Sequence, residues 1–479
     1  MNYRMIAQTL GRVLCIEAAL MLLPLFTGLY YHEKPLPFLI TIIVTAAAGG
    51  FLLLLRPESG EMYAREGFLL VGLSWIAMSL FGALPFVLSG QIPKYVDALF
   101  ETVSGFTTTG ASILTNVESM SKSCLFWRSF THWIGGMGVL VFLMAVLPMS
   151  GEHSMHIMRA EVPGPTVGKL VPRVRQTSII LYCIYLGLTV LEGILLLCGG
   201  MHLFDSVLTA FATAGTGGFA IRSASIGAYG SAYSEWVVTI FMLLFSLNFN
   251  LYFLILLGKV KAALKSEELW WFGGIVAFAI VTVALNIAGQ YGGFFKAIRY
   301  SAFQVATVVS TTGFATADFN QWPEYAKAIL VALMFIGACA GSTGGGMKLS
   351  RILIMFKSAA GETIRMIRPR QVSRVTMDGK RLDEGVVRCT FAFFLIYMAI
   401  LLIGTLIVSL DGFDPVTNFT GTLACLSNIG PGLNLVGPAG NYVMFSTRTK
   451  LVLSACMLLG RLEIYPILML VTPRVWKLR

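Results

Sequence analysis

Seven stretches of this chain run for twenty or more residues without Asp, Glu, Lys or Arg: 36–55, 67–93, 129–151, 236–258, 269–295, 328–347 and 389–410. Each meets the length of about 20 apolar residues that a helix needs to cross a bilayer. Lipid offers no hydrogen bonds, so a spanning segment must satisfy its own backbone, as a helix or as a strand of a closed barrel. Runs of continuous rather than alternating apolarity select the helix. Three more stretches, 14–31, 179–199 and 451–471, are interrupted only by Glu17, by Glu192, and by Arg461 with Glu463. The expectation is an all-α polytopic membrane protein with ten spanning helices.

Composition agrees: 56% of the 479 residues are hydrophobic and 12% charged. A mean hydropathy of +0.77 excludes a soluble domain. The net charge of +11 need not imply a nucleic-acid partner. With the N-terminus in the cytoplasm, most Lys and Arg fall in cytoplasmic segments, the positive-inside bias of a cell inner-membrane protein. No nucleic acid is expected.

The spans are organised by a short pattern that occurs four times. Val103 to Ala111 reads Val-Ser-Gly-Phe-Thr-Thr-Thr-Gly-Ala, and the other copies are Thr216-Gly217-Gly218-Phe219, Thr311-Thr312-Gly313-Phe314 and Ser427-Asn428-Ile429-Gly430-Pro431. Each lies between a long apolar span and the next. After an N-terminal two-helix hairpin (1–58), the unit of span, re-entrant segment and span repeats at 59–152, 153–262, 263–380 and 381–479. Every unit enters and leaves on the same side, so the four form a pseudo-symmetric assembly around an axis normal to the membrane.

Small hydroxyl residues followed by glycine suit a backbone that leaves helical geometry, because glycine tolerates positive φ. Irregular backbone is permitted at membrane depth only beside a polar path, and rings of carbonyls can replace the water shell of a cation. The four turns therefore predict one ion filter built from Thr108, Thr109, Gly110, Thr216, Gly217, Gly218, Thr311, Thr312, Gly313, Asn428, Ile429 and Gly430. Asp97 and Asp205 stand at matching register before the first two glycines. Each is expected to N-cap a short helix, 98–106 or 206–214, whose C-terminal end points partial negative charge at the axis.

Other motifs are set against plainer readings. Residues 338–348, Ala-Cys-Ala-Gly-Ser-Thr-Gly-Gly-Gly-Met-Lys, resemble a phosphate loop only superficially, since Met347-Lys348 stands where Gly-Lys-Ser/Thr is required and no strand precedes it. Gly344, Gly345 and Gly346 should either break the helix into a strip plugging the passage or serve a close helix crossing. Arg461, central in the last span, is expected to face an internal cavity and set an electrostatic barrier; an ion pair with Glu463 is the plainer reading. His132 reads as interfacial packing, and His153 and His156 as solvated loop. The basic segments 153–176 and 357–388 suit lipid headgroups or a soluble partner. No residue set points to an enzyme.

Five strings, Ser104-Gly105-Phe106-Thr107-Thr108-Thr109-Gly110-Ala111, Trp133-Ile134-Gly135-Gly136-Met137-Gly138, Gly341-Ser342-Thr343-Gly344-Gly345-Gly346, Asn428-Ile429-Gly430-Pro431-Gly432 and Gly460-Arg461-Leu462-Glu463, are together specific. With the hairpin, they make nearly the whole chain resemble the Trk/Ktr/HKT superfamily of potassium transporters, and within it the TrkH-type membrane subunits. The resemblance implies K⁺ as the transported ion, no organic cofactor in this chain, a homodimer, and a cytosolic TrkA-type ring of nucleotide- and NAD-binding subunits that gates it. It also implies that filter carbonyls ligate dehydrated K⁺, and that Gly344, Gly345, Gly346, Lys348 and Arg461 form the gate. A serine at the first filter glycine accompanies sodium transport in plant relatives, so Gly110 points to potassium. The second turn, Thr-Gly-Gly-Phe, departs from the Thr-Thr-Gly of the first and third. The alternative from another class is a secondary transporter moving a different solute with Na⁺ or H⁺ at broken helices.

Overall fold

Long apolar stretches form helices here, and among the described residues several of them are broken into two. The structure, a computed structural model, describes residues 2–55, 63–138, 174–368 and 374–477. The hairpin comprises α1 (Tyr3–Leu20) continued by α2 (Leu22–Tyr30), and α3 (Leu36–Leu53). Its two arms cross closely where Gly11 faces Gly49: a methyl group on Gly11 would stand 2.7 Å from the Gly49 carbonyl oxygen. Glu33 ties the hairpin to the first unit by accepting from the Lys122 and Ser123 amides at 2.5 and 3.0 Å.

The first spans are α4 with α5 (Ala64–Gly82, Leu84–Leu88), α8 (Val174–Cys198), α13 (Glu267–Ile287) and α17 (Glu384–Val408). Each is followed by a shorter helix that is mostly buried: α6 (Tyr95–Phe106), α9 (Leu203–Ala214), α14 (Phe294–Val309) and α18 (Pro415–Ser427). The second spans are α7 (Lys122–Gly136), α10 with α11 (Ala232–Phe245, Phe249–Leu256), α15 with α16 (Glu324–Ile336, Leu349–Ile367) and α19 with α20 (Thr447–Arg461, Tyr465–Val471). Short helices α12 (Val260–Ala263) and α21 (Pro473–Lys477), four 3-10 turns and a two-stranded hairpin, β1 (Thr376–Met377) with β2 (Lys380–Arg381), complete the described chain.

The apolar stretches expected to span are not all single helices. Among the described residues, six helices are long and apolar enough to cross a membrane, and α10 with α11 makes a seventh bent by 90°. The second spans read as continuous over 236–258 and 451–471 are broken, at 246–248 and 462–464. At the first break Asn248 accepts from the Asn250 amide at 2.9 Å and starts a new helix. At the second, Glu463 and Ile464 take φ of +53° and +70°. The break at 337–348 follows the glycine expectation. The remainder of 129–151, His153, His156 and most of 153–176 lie outside the described residues.

The two expected Asp caps also need correcting. Residues Lys94 and His202 occupy the N-cap positions of α6 and α9, and Asp97 and Asp205 sit in the first helical turn. There they still favour the helix dipole and make other bonds, Asp97 from Lys450 at 2.7 Å and Asp205 from the Tyr229 hydroxyl at 3.0 Å. A true Asp cap occurs in unit four, where Asp414 accepts from the Thr417 amide at 3.0 Å. The C-terminal ends at Phe106 and Ala214 fall where the sequence placed them.

Candidate ion-filter site

The four short helices end in the same way. The residue after each helix cap, Thr108, Thr216, Thr311 or Asn428, takes a left-handed φ of +55°, +54°, +62° or +57°; in α18 the cap itself, Asn428, does so. The next amide reaches back to a carbonyl five residues earlier: Thr109 to Ser104, Gly217 to Ala212, Thr312 to Thr307 and Ile429 to Ala424, each at 2.9 Å. This is a left-handed helix stop with its long closing bond. Non-glycine residues held left-handed cost of order 1–3 kcal/mol each and persist only when their surroundings enforce them. Gly110, Gly218, Gly313 and Gly430 follow, again at positive φ, +78°, +75°, +87° and +90°.

The turns close on one another in order. A methyl group on Gly110 would stand 2.0 Å from the Gly217 carbonyl oxygen, one on Gly218 2.1 Å from that of Thr312, one on Gly313 2.1 Å from that of Ile429, and one on Gly430 2.7 Å from that of Thr109. Each unit thus abuts the next and the fourth returns to the first. One cavity of about 150 Å³ opens on a single side of this ring and is lined by all four glycines, with Ser112, Arg222 and Asn441. All twelve turn residues named from the sequence come together here.

Several supporting groups were not read from the sequence. Glu101 and Arg128 form a buried ion pair at 2.6 Å. The Glu101 carboxylate accepts from Ser112 Oγ and the Ile113 amide at 3.0 Å, while Arg128 donates to the Ala220 carbonyl at 2.8 Å and lies over the Phe219 ring. Together they hold the exits of the first and second turns. Tyr442 donates its hydroxyl to the Gly430 carbonyl at 2.7 Å, and Asn428 Nδ2 donates to Thr109 Oγ1 at 3.0 Å and to the Met457 carbonyl at 2.9 Å. A charge inside each of two apolar helices, 27 residues apart, was the available signal for the Glu101–Arg128 pair. His132 is fully buried against the second turn, not at an interface as its sequence position suggested.

On the side of the ring opposite the cavity lies the strip 337–348. The Gly345 amide donates to Thr311 Oγ1 at 2.6 Å. Methyl groups on Gly344 and Gly345 would stand 2.9 Å from the Ser310 carbonyl oxygen and 2.5 Å from that of Ser427, so the strip presses on turns three and four. Breaking the second span of unit two exposes the carbonyls that receive it: Thr343 Oγ1 donates to Phe245 at 3.0 Å and the Cys339 amide to Ser246 at 3.1 Å. Glu268 Oε1 fastens both ends, accepting from the Ala340 and Ser350 amides at 2.8 and 3.1 Å. Lys348, buried, donates Nζ to the Gly344 carbonyl.

Arg461 meets this strip across the axis. Its Nη1 donates to the Thr343 carbonyl at 2.7 Å and its Nη2 to the carbonyls of Gly135 and of Gly136, the latter at 2.6 Å. Units three and one are thereby joined through α19 of unit four. Glu463 instead receives both Nη atoms of Arg351. The sequence expected Arg461 to face an internal cavity; the backbone carbonyls that receive it here went unread, because they carry no side-chain signature.

Comparison with known proteins follows this geometry. Residues 36–270 and 290–477 match the TrkH family, described as cation transport protein. The chain is 36% identical over 485 residues to the Trk system potassium uptake protein TrkH of Escherichia coli K12, covering all of both chains. It is 32% identical to the potassium uptake protein TrkG of the same strain, over 99% of each. The crystal structure of the potassium transporter TrkH from Vibrio parahaemolyticus superposes with a TM-score of 0.89 at 32% identity, covering 99% of this chain and 100% of that one. The chain is a multi-pass membrane protein and belongs to the TrkH family of cation transport proteins.

Proposed function

We propose that the chain mediates potassium uptake and that the four turns are its selectivity filter. The carbonyls of Thr108, Thr109, Thr216, Gly217, Thr311, Thr312, Asn428 and Ile429 replace the water shell of K⁺, and the C-terminal ends of α6, α9, α14 and α18 add partial negative charge. The observation that carries this reading is the cyclic contact of Gly110, Gly218, Gly313 and Gly430 with the carbonyls of the neighbouring turns. Glycine at these four positions lets carbonyls approach from the side.

Gly344, Gly345, Gly346 and Lys348, with Arg461, form the gate: the strip covers the path beneath the ring and the guanidinium locks it to the second span of unit one. The N-terminus faces the cytoplasm of a bacterial inner membrane, and the cavity above the ring opens outward. Two copies assemble as a homodimer amid membrane lipid, and a cytosolic nucleotide- and NAD-binding ring of the TrkA type acts on the strip through the basic cytoplasmic segments. Names of the relatives, which speak of a Trk system, support a multi-component assembly.

The test is K⁺ or rubidium-tracer flux in proteoliposomes with Gly110→Ser. The expected result is loss of discrimination between K⁺ and Na⁺ in a folded protein; full discrimination would overturn the filter assignment.

A further inference from the structure

The second turn differs from the others in how its backbone is held. In turns one and three the hydroxyl of the last residue before glycine pairs with a hydroxyl two residues earlier: Thr109 Oγ1 with Thr107 Oγ1 at 2.8 Å, and Thr312 Oγ1 with Ser310 Oγ at 2.7 Å. Turn four is braced from outside, Ser427 Oγ to the Tyr397 hydroxyl at 2.7 Å. Turn two has Gly215 and Gly217 at the paired positions and so has no side chain with which to make either bond.

The imidazole of His132 fills that space. A methyl group on Gly217 would stand 2.3 Å from both Cγ and Nδ1 of the ring, and one on Gly215 2.2 Å from the His132 carbonyl oxygen. Neither glycine has a positive φ, so the backbone itself does not demand glycine; the atoms nearest an added methyl group are those of the His132 ring at 217 and the His132 carbonyl and Cβ at 215. His132 Nδ1 donates to the Gly105 carbonyl at 2.7 Å, inside the first short helix, and its ring lies 4.1 Å from that of Phe219. One side chain therefore joins pore helix one to filter turn two. The Gly217 carbonyl it backs is the one that closes on Gly110.

We propose that His132 is a positioning residue for ion selectivity, taking the place in turn two that a hydroxyl pair fills in turns one and three, and that the glycine at 217 exists to admit its ring. This rests on the reading of the four turns as the ion filter. The consequence is coupling: His132 and Gly217 must change together.

The test is a double-mutant cycle in the full-length protein reconstituted in proteoliposomes, reading Na⁺ against K⁺ competition for rubidium-tracer uptake. Gly217→Ala in the presence of His132 is expected to lower K⁺ preference by roughly tenfold or more. With His132→Asn, which keeps a donor to Gly105 but removes the ring, the same Gly217→Ala change is expected to cost no more than about twofold. His132→Ala alone should lose preference and His132→Asn recover part of it. Additive effects, a tolerated Gly217→Ala, or full preference in folded His132→Ala would overturn the proposal; should His132→Ala not fold, the Asn background carries the cycle. Gly110→Ser run alongside separates the two claims. If it also leaves preference intact, the filter reading has failed; if it destroys preference while coupling is absent, only the brace has.

Discussion

The two faces of the ring are built differently. Above, one backbone conformation is repeated four times, each turn with a left-handed residue, a 2.9 Å closing bond and a positive-φ glycine. Below, among the described residues, the parts are unlike one another: a strip from unit three, an arginine from unit four and a bent span of unit two meet under the ring. Local rules shape the first, so each turn is indispensable to it. A few contacts between residues far apart in sequence shape the second, so it can be loosened while the ring stands.

That contrast breaks most readily at the ring. Gly313→Ala adds a methyl group 2.1 Å from the Ile429 carbonyl oxygen at a φ of +87°. Strain of about 1–3 kcal/mol and an unavoidable displacement of the fourth turn follow. Transport should be abolished or K⁺ preference lost, measured by proteoliposome flux on monodisperse protein; a variant with native selectivity would show that the turns do not act as one ring.

Arg461→Ala should do the reverse. Three carbonyls lose a charged donor, each such bond contributing about 1.5–3 kcal/mol, and the mid-membrane positive charge is gone. Basal flux should rise by roughly tenfold, a change well within the loss of one such bond, with K⁺ preference unchanged because the ring is untouched. Flux equal to or below that of the parent protein would remove the barrier role from Arg461. Glu268→Gln acts on the same strip more gently. The amide oxygen still accepts from Ala340 and Ser350, but without a charge, at a cost of about 1 kcal/mol, so flux should rise by roughly fivefold or less. A larger rise than that of Arg461→Ala would mean that the anchors of the strip, not the arginine, hold the path shut.

The same contrast explains what could be read in advance. The turns were legible through Gly110, Gly218, Gly313 and Gly430, since glycine accepts the positive φ found at each; the left-handed Thr108, Thr216 and Thr311 were not, because a β-branched side chain disfavours that conformation. Helix starts were less so, since α6 and α9 begin at Lys94 and His202 with no side-chain cap, leaving Asp97 and Asp205 as misleading signals. The break at 246–248 was hidden because no glycine or proline marks it, whereas Gly460 and Pro466 flank the one at 462–464 and were a signal left unread; tertiary partners, the strip at Phe245 and Ser246 and Arg351 at Glu463, accompany both. His132 could be found only once Gly217 was known to face it.

The smallest predicted effect sharpens the lower closure itself. Arg351 in α16, just past the strip, pairs with Glu463 in the break between α19 and α20, and the Glu463 side chain is 21% exposed. With Arg351 8% exposed, the pair lies between the limits of an exposed and a fully desolvated ion pair. Glu463→Gln preserves the shape of the side chain and removes its charge, so Arg351 keeps an acceptor. Basal flux should change by no more than about twofold, far less than with Arg461→Ala, because resistance then resides in Arg461 bridging the carbonyls of Thr343, Gly135 and Gly136 and not in the neighbouring ion pair. If the glutamine variant leaked as freely as the Arg461 variant, the closure would be a charge network spanning Arg351, Glu463 and Arg461, and salt concentration would become the variable that grades it.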